Sequence, residues 1–257
     1  MSNKKTALSI GIPEPNQPVF PVASQPEQKN NSQDESPNSK FKRYIIATFI
    51  NDHKCSMFYT SSLCESAKAL LTNEVVLIPL IINAVDGKAM AFNQAITVAW
   101  KEKVDGIIFA SPDAAWSAQE LFDLISSDKD CVALPTMTAK GIDIELGEIS
   151  RLQRDKQTGE ILVKYASLDF MYLSLYSINE LCNTHQFIEY QGQDTKLVLQ
   201  SGDVFNGFYT ESQILKARLM ELNIETWVNP NHTIPTFQGQ LYASNFTEIL
   251  AEMEKKG

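Results

Sequence analysis

Histidine is scarce in this chain: only His53, His185 and His232 occur among 257 residues, at no spacing that would hold zinc. The four cysteines, Cys55, Cys64, Cys131 and Cys182, form no Cys-x-x-Cys pair. That excludes a zinc ribbon or a dithiol redox motif and fits thiols kept reduced in a cytoplasmic compartment. No run of about 18 apolar residues exists, so no membrane span is expected. The basic start Met1-Ser2-Asn3-Lys4-Lys5 leads into an apolar stretch that Pro13 and Pro15 interrupt, which argues against a signal peptide. Neither a Gly-x-x-x-x-Gly-Lys-Ser/Thr phosphate loop nor a Gly-x-Gly-x-x-Gly fingerprint is present. Positive charge is short as well, 22 Lys and Arg against 31 Asp and Glu, a formal net charge of −9. A broad phosphate-binding surface needs the opposite balance, so the charge gives no support to a nucleic-acid partner.

What remains is an ordinary globular composition, 44% hydrophobic and 21% charged, enough for a substantial core. Residues 1–40 stand apart. They hold six prolines among Asn, Gln and Ser, and Gln25 to Lys40 is almost devoid of apolar side chains. Such a segment cannot repay the entropy of ordering, and a disordered tail over 1–40 is expected. Its apolar piece, Ile10 to Val22, suits an extended strip on a partner or on the domain.

From Phe41 strands and helices alternate. Arg43 to Ile50, Val75 to Ile82, Val104 to Phe109 and Cys131 to Leu134 read as buried strands rich in β-branched and aromatic residues. Ser56 to Leu71, Ala89 to Lys103 and Ser117 to Ser126 carry helical periodicity, the last with Ser117 and Glu120 at capping-box spacing. This order predicts a mainly parallel sheet with helices on both faces. Ligands of such sheets lie beyond the carboxyl ends of the strands. That rim carries Phe49-Ile50-Asn51-Asp52, Asn83 to Lys88 and Ser111-Pro112-Asp113. The second half is richer in β. Glu145 to Arg151 and Glu160 to Tyr165 flank a turn ending in Thr158-Gly159, and Trp227 to Pro230 reads as a short strand. Tyr172 to Leu181, Glu211 to Leu222 and Phe246 to Lys255 read as helices.

The order of these pieces resembles glycosyltransferases of the GT-A fold, in particular small family-two-like members found in phage and environmental genomes. The resemblance rests on Phe92-Asn93-Gln94 in a helix, and on a strand running into Ala110-Ser111-Pro112-Asp113-Ala114-Ala115-Trp116. It continues through Ser127 to Pro135 and Lys164 to Met171, then Glu211-Ser212 followed at family spacing by Trp227-Val228-Asn229-Pro230. It spans about residues 43–240 and implies a GT-A-like domain over 41–257. The implied activity is sugar transfer from a nucleotide-sugar donor, with inversion, to an acceptor that the motifs do not identify. A phage-type origin implies the host cytoplasm.

Three positions depart from the family pattern. Its Asp-x-Asp carboxylates hold Mg²⁺ or Mn²⁺ against the donor diphosphate, because a hard cation takes oxygen ligands. Here the first Asp is Ser111 and only Asp113 is kept. The later His ligand is matched by Thr236, with His232 four residues earlier as the alternative, and the Asp of the Glu-Asp pair is Ser212. Metal dependence is therefore expected to be weakened or absent, with Asp113 and His232 as the remaining candidate ligands. Family Gly is replaced by Asp169.

The resemblance implies that Glu211 is the general base that deprotonates an acceptor hydroxyl, a task that suits a carboxylate. The alternative is a first-turn Glu after the N-cap Thr210, favoured by the helix dipole. Asp113 suits a ribose or a metal ion, or simply a strand-end turn. Asp52 and Asp86 are candidates for base or ribose contacts, or solvated loop carboxylates. Trp116 and Trp227 suit stacking on sugar or base, or the core. Asp52, Asp86, Asn93, Ser111, Asp113 and Trp116 make up the candidate donor site. A second function stays open: a GT-A-like protein without catalysis, kept for binding or assembly.

Overall fold

The computed structural model describes residues 41–51, 54–142, 144–146, 152–200, 203–204, 207–208 and 210–256. The expected tail over 1–40 and Asp52 lie outside the described residues. The described elements belong to one unit, Ser39–Gly257.

The first half follows the predicted alternation closely. β1 (Lys42–Ile50) leads to α1 (Met57–Leu71), whose N-cap Ser56 accepts a hydrogen bond from the Tyr59 amide at 3.0 Å. β2 (Val75–Asn83) follows, then α2 (Lys88–Glu102), entered through Gly87 at φ 96°, a left-handed conformation that glycine adopts without steric cost. β3 (Gly106–Ala110) runs toward α3 (Ala118–Ile125), where Ser117 and Glu120 close the expected capping box. β4 (Cys131–Ala133) precedes three short strands, β5 (Thr136–Thr138), β6 (Gly141–Ile142) and β7 (Ile144–Glu145).

The second half adds β8 (Ile161–Leu162), β9 (Tyr165–Ala166) and β10 (Phe170–Ser174), then α4 (Leu175–Thr184) and the hairpin of β11 (Phe187–Tyr190) and β12 (Gln193–Lys196). β13 (Asp203–Val204) and β14 (Gly207–Phe208) pair with each other ahead of α5 (Glu211–Glu221). β15 (Trp227–Val228), β16 (Ile234–Phe237), β17 (Leu241–Tyr242) and α6 (Phe246–Lys256) complete the chain.

Seven strands form the main sheet in the order β2-β1-β3-β10-β4-β15-β8. β2, β1, β3, β4 and β15 share one direction, while β10 and β8 run against it. The fold is thus mixed α/β, a large sheet flanked by helices, with small sheets added in the second half. This is the layering the resemblance implied. The pleat divides the core cleanly: Ile45, Ala47, Ile107 and Phe109 join one buried cluster with Phe92 and Ile96 of α2. Tyr44, Ile46, Ile108 and Ala110 join another with Tyr59 of α1 and Leu121 of α3. Strands covered on both faces are apolar throughout, which is why they read as continuous runs in the sequence.

Two expectations need correction. Tyr172 to Leu181 is not one helix: Phe170–Ser174 is a strand between β3 and β4, and the helix begins at Leu175. A short buried apolar run carries no period that separates strand from helix. Ser174 marks the switch, its side chain capping the Ser177 amide at 3.2 Å. The expected 145–165 hairpin is only partly formed. Its turn exists, with the Asp155 amide donating to the Glu160 carbonyl at 2.8 Å and Arg154 bridging Ile161. Beyond it β8 joins β15 and β7 joins β9, while 147–151 lie outside the described residues. Among the described residues no helix is long and apolar enough to cross a membrane.

Candidate functional site

A cavity of about 850 Å³ opens at the carboxyl ends of β1 and β3, where the rim was predicted. Its floor comes from Ala47 and Phe49 of β1 and from Phe109 and Ala110 of β3. Ser111, Pro112 and Asp113 form one wall, Leu168 and Asp169 another, and Thr236 to Gly239 of the β16–β17 turn a third. Lys54 and Lys88 complete the lining from the entries to α1 and α2.

Local hydrogen bonds fix the wall that carries Asp113. The Ala114 amide donates to the Ser111 carbonyl at 3.1 Å, closing a tight turn, and the Asp113 amide reaches the Ser111 hydroxyl at 3.4 Å. The Ser56 amide donates to the Pro112 carbonyl at 2.9 Å, and the Phe237 amide to the Asp113 carbonyl at 2.9 Å. The start of α1 and strand β16 therefore clamp this turn from both sides. Across the sheet, the Ser111 amide donates to the Asp169 carbonyl at 2.7 Å, so antiparallel β10 brings Asp169 beside Ser111.

The other candidates sort clearly. Asn93 is fully buried and lies under the fold, not in the cavity: its Oδ1 accepts from the Val198 and Leu199 amides, and its Nδ2 donates to the Leu199 carbonyl. Trp116 is 5% exposed and packed edge-on against Tyr59, with its indole N–H donating to Ser66 at 3.1 Å. Trp227 is buried too, with the Lys129 ammonium 5.2 Å from its ring centre. Asp86 accepts from the Tyr190 hydroxyl and from Gln191 at 3.3 Å, on a groove beside β2 rather than in the cavity. His232 pairs with Asp123 at 2.8 Å and does not line the cavity. Core formation and local pairing thus explain residues that the motif pattern assigned to the donor.

Glu211 opens α5 after the N-cap Thr210, whose capping box is completed by Gln213. It is not a lining residue. Its neighbour Ser212 accepts a hydrogen bond from the Leu168 amide at 3.2 Å, which ties the first turn of α5 to the cavity wall. Lys54, Lys88 and Asp169 line the cavity although the motif pattern gives them no role there. The signals were available: Lys88 closes a predicted rim segment, and Asp169 stands where the resemblance has glycine.

The residues present do not match the divalent-cation site that the resemblance implies. Ser111 offers a hydroxyl where the first carboxylate belongs, the Thr236 hydroxyl donates to the Met137 carbonyl, and His232 is engaged by Asp123. Among the described residues no group of three or more His, Cys, Asp or Glu side chains could hold a metal ion. The lining carries two carboxylates and two ammonium groups instead.

No protein-family model and no curated protein matches the chain. Among solved structures it is similar to A197 from STIV at 11% identity and a TM-score of 0.45, over 80% of this chain and 95% of that one. It is similar to GalNAc-T7, solved with UDP, GalNAc and Mn²⁺, at 10% identity and a TM-score of 0.46, over 85% of this chain and 48% of that one. A third likeness is to CMP:2-keto-3-deoxy-manno-octonic acid synthetase complexed with CTP, at 10% identity and a TM-score of 0.38, over 84% and 100%.

Proposed function

We propose that the cavity binds a nucleotide-sugar and that the chain transfers the sugar, with inversion, to an acceptor hydroxyl. In this reaction the acceptor oxygen forms a bond to the sugar's anomeric carbon while the bond from that carbon to the diphosphate oxygen breaks. The nucleoside diphosphate leaves with the electron pair, and the acceptor proton passes to the Glu211 carboxylate as general base. The observation that carries the reading is the position of the cavity: beyond the carboxyl ends of β1 and β3, with the strand-end Asp113 on its wall and the first turn of α5 tied to it through Ser212 and Leu168.

A second reading is a binding protein of the same fold without turnover. It is favoured by Glu211 standing outside the lining and by hydroxyl residues at positions 111, 212 and 236. Calorimetry with nucleoside diphosphates and nucleotide-sugars tests the donor site, and turnover on any bound donor separates the two readings. Glu211→Gln is expected to keep donor affinity within about twofold while lowering the transfer or donor-hydrolysis rate by a factor of about 10² or more. Binding with no turnover in the unmodified chain would favour the second reading. No binding of any donor would remove the transferase reading and leave the second, as a protein kept for assembly.

A further inference from the structure

We infer that Lys54 and Lys88 neutralise the diphosphate of the donor in place of a divalent cation. This rests on the donor reading of the same cavity. The two lysines come from different strand ends. Lys54 follows β1 and stands two residues before the N-cap of α1, whereas Lys88 follows β2 and is the first residue of α2. Both nonetheless line one cavity with Ser111 and Asp113. Among the described residues neither ammonium group has an ion-pair partner in the chain.

The surroundings sharpen the argument. In a chain of net charge −9, an anionic ligand is drawn in only by local positive groups. A departing diphosphate gathers negative charge, which must be met either by a cation or by fixed positive side chains. The three positions that the resemblance gives to the cation site carry Ser111, Ser212 and Thr236, which offer no carboxylate or imidazole, while the cavity that Ser111 and Thr236 line also holds two ammonium groups. Lysine serves here as a point charge with rotatable donors, able to follow the phosphates as the bond breaks.

The test is calorimetry on the full chain in EDTA, using inorganic pyrophosphate and UDP, GDP, ADP and CDP as probes. Wild type is compared with Lys54→Met, Lys88→Met and the double variant, whose melting curves should match wild type because both side chains are exposed. Pyrophosphate and at least one nucleoside diphosphate should bind without metal. Each single variant should weaken that binding about tenfold, the double variant more, and the corresponding monophosphate should be affected less. Two results would overturn the inference while leaving the donor reading intact: nucleotide affinity unchanged in the double variant, or wild-type binding that is lost in EDTA and restored by Mn²⁺. If wild type binds none of the probes with or without Mn²⁺, the donor reading falls and this inference with it.

Discussion

Asn93 makes the case for judging a residue by its partners. Its amide meets three backbone groups of Val198 and Leu199 at 2.7 to 3.0 Å, inside a region where all three residues are at most 1% exposed. Removing it leaves two amides and a carbonyl buried without partners, each costing about 1–3 kcal/mol. Asn93→Ala is therefore expected to lower unfolding free energy by about 2–4 kcal/mol in urea titration, allowing for partial access of water. Donor affinity of the folded fraction should stay unchanged; a selective loss of affinity at unchanged stability would return Asn93 to the donor site. At this scale a residue's position is more legible in the sequence than its role. Asp113 and Lys88 fell on rim segments that strand ends define, because chain direction alone puts them there. Asn93 and Trp116 share the same polar or aromatic chemistry whether they face a ligand or the core, and only their three-dimensional partners decide.

At the scale of elements, local signals were legible where caps mark them. Ser56 and Ser117 start α1 and α3 where expected, since an N-cap satisfies amides that the helix itself leaves unpaired. β10 was missed because what makes it a strand is its neighbours β3 and β4, distant in sequence. Those neighbours also impose a constraint that no local pattern carries. A methyl group on Gly106 would overlap the buried Tyr172 ring and stand 3.0 Å from the Leu173 carbonyl oxygen. The glycine is thus required by the close approach of β10 to β3, not by turn geometry. Gly106→Ala should cost about 1–3 kcal/mol through overpacking, read as a lower urea midpoint at unchanged m-value. Pairing it with Tyr172→Leu, which shortens the offending ring, should recover part of that loss. An alanine variant as stable as the wild type would show that β3 and β10 can separate without cost.

For the whole molecule, the two faces of the sheet hide groups that ionise when exposed. Burial pushes the thiols of Cys131 and Cys182 up to about 12, and it pushes the Tyr59 hydroxyl to about 12 despite a hydrogen bond from Thr48 at 2.6 Å. Burial raises Tyr172 and Tyr44 as well. In the unfolded chain thiols ionise near pH ~8.5 and tyrosines near ~10. The native state holds these protons to higher pH, so the stability they confer is complete below about pH 8.5 and is lost as pH rises toward 12. The melting temperature should accordingly fall steadily above about pH 9, with more than one proton released per unfolding event in that range. The same burial sets an independent readout. A thiol reagent at pH 8 should label Cys64, which is exposed, and Cys55, which is partly so, in the native chain, and reach Cys131 and Cys182 only with denaturant. Because one of these two thiols lies on β4 and the other on α4, their joint release at one urea concentration would mean that sheet and helix layer unfold together. Early labelling of Cys182 alone would instead show the α4 layer opening first, leaving the cavity-bearing strands β1 and β3 in place.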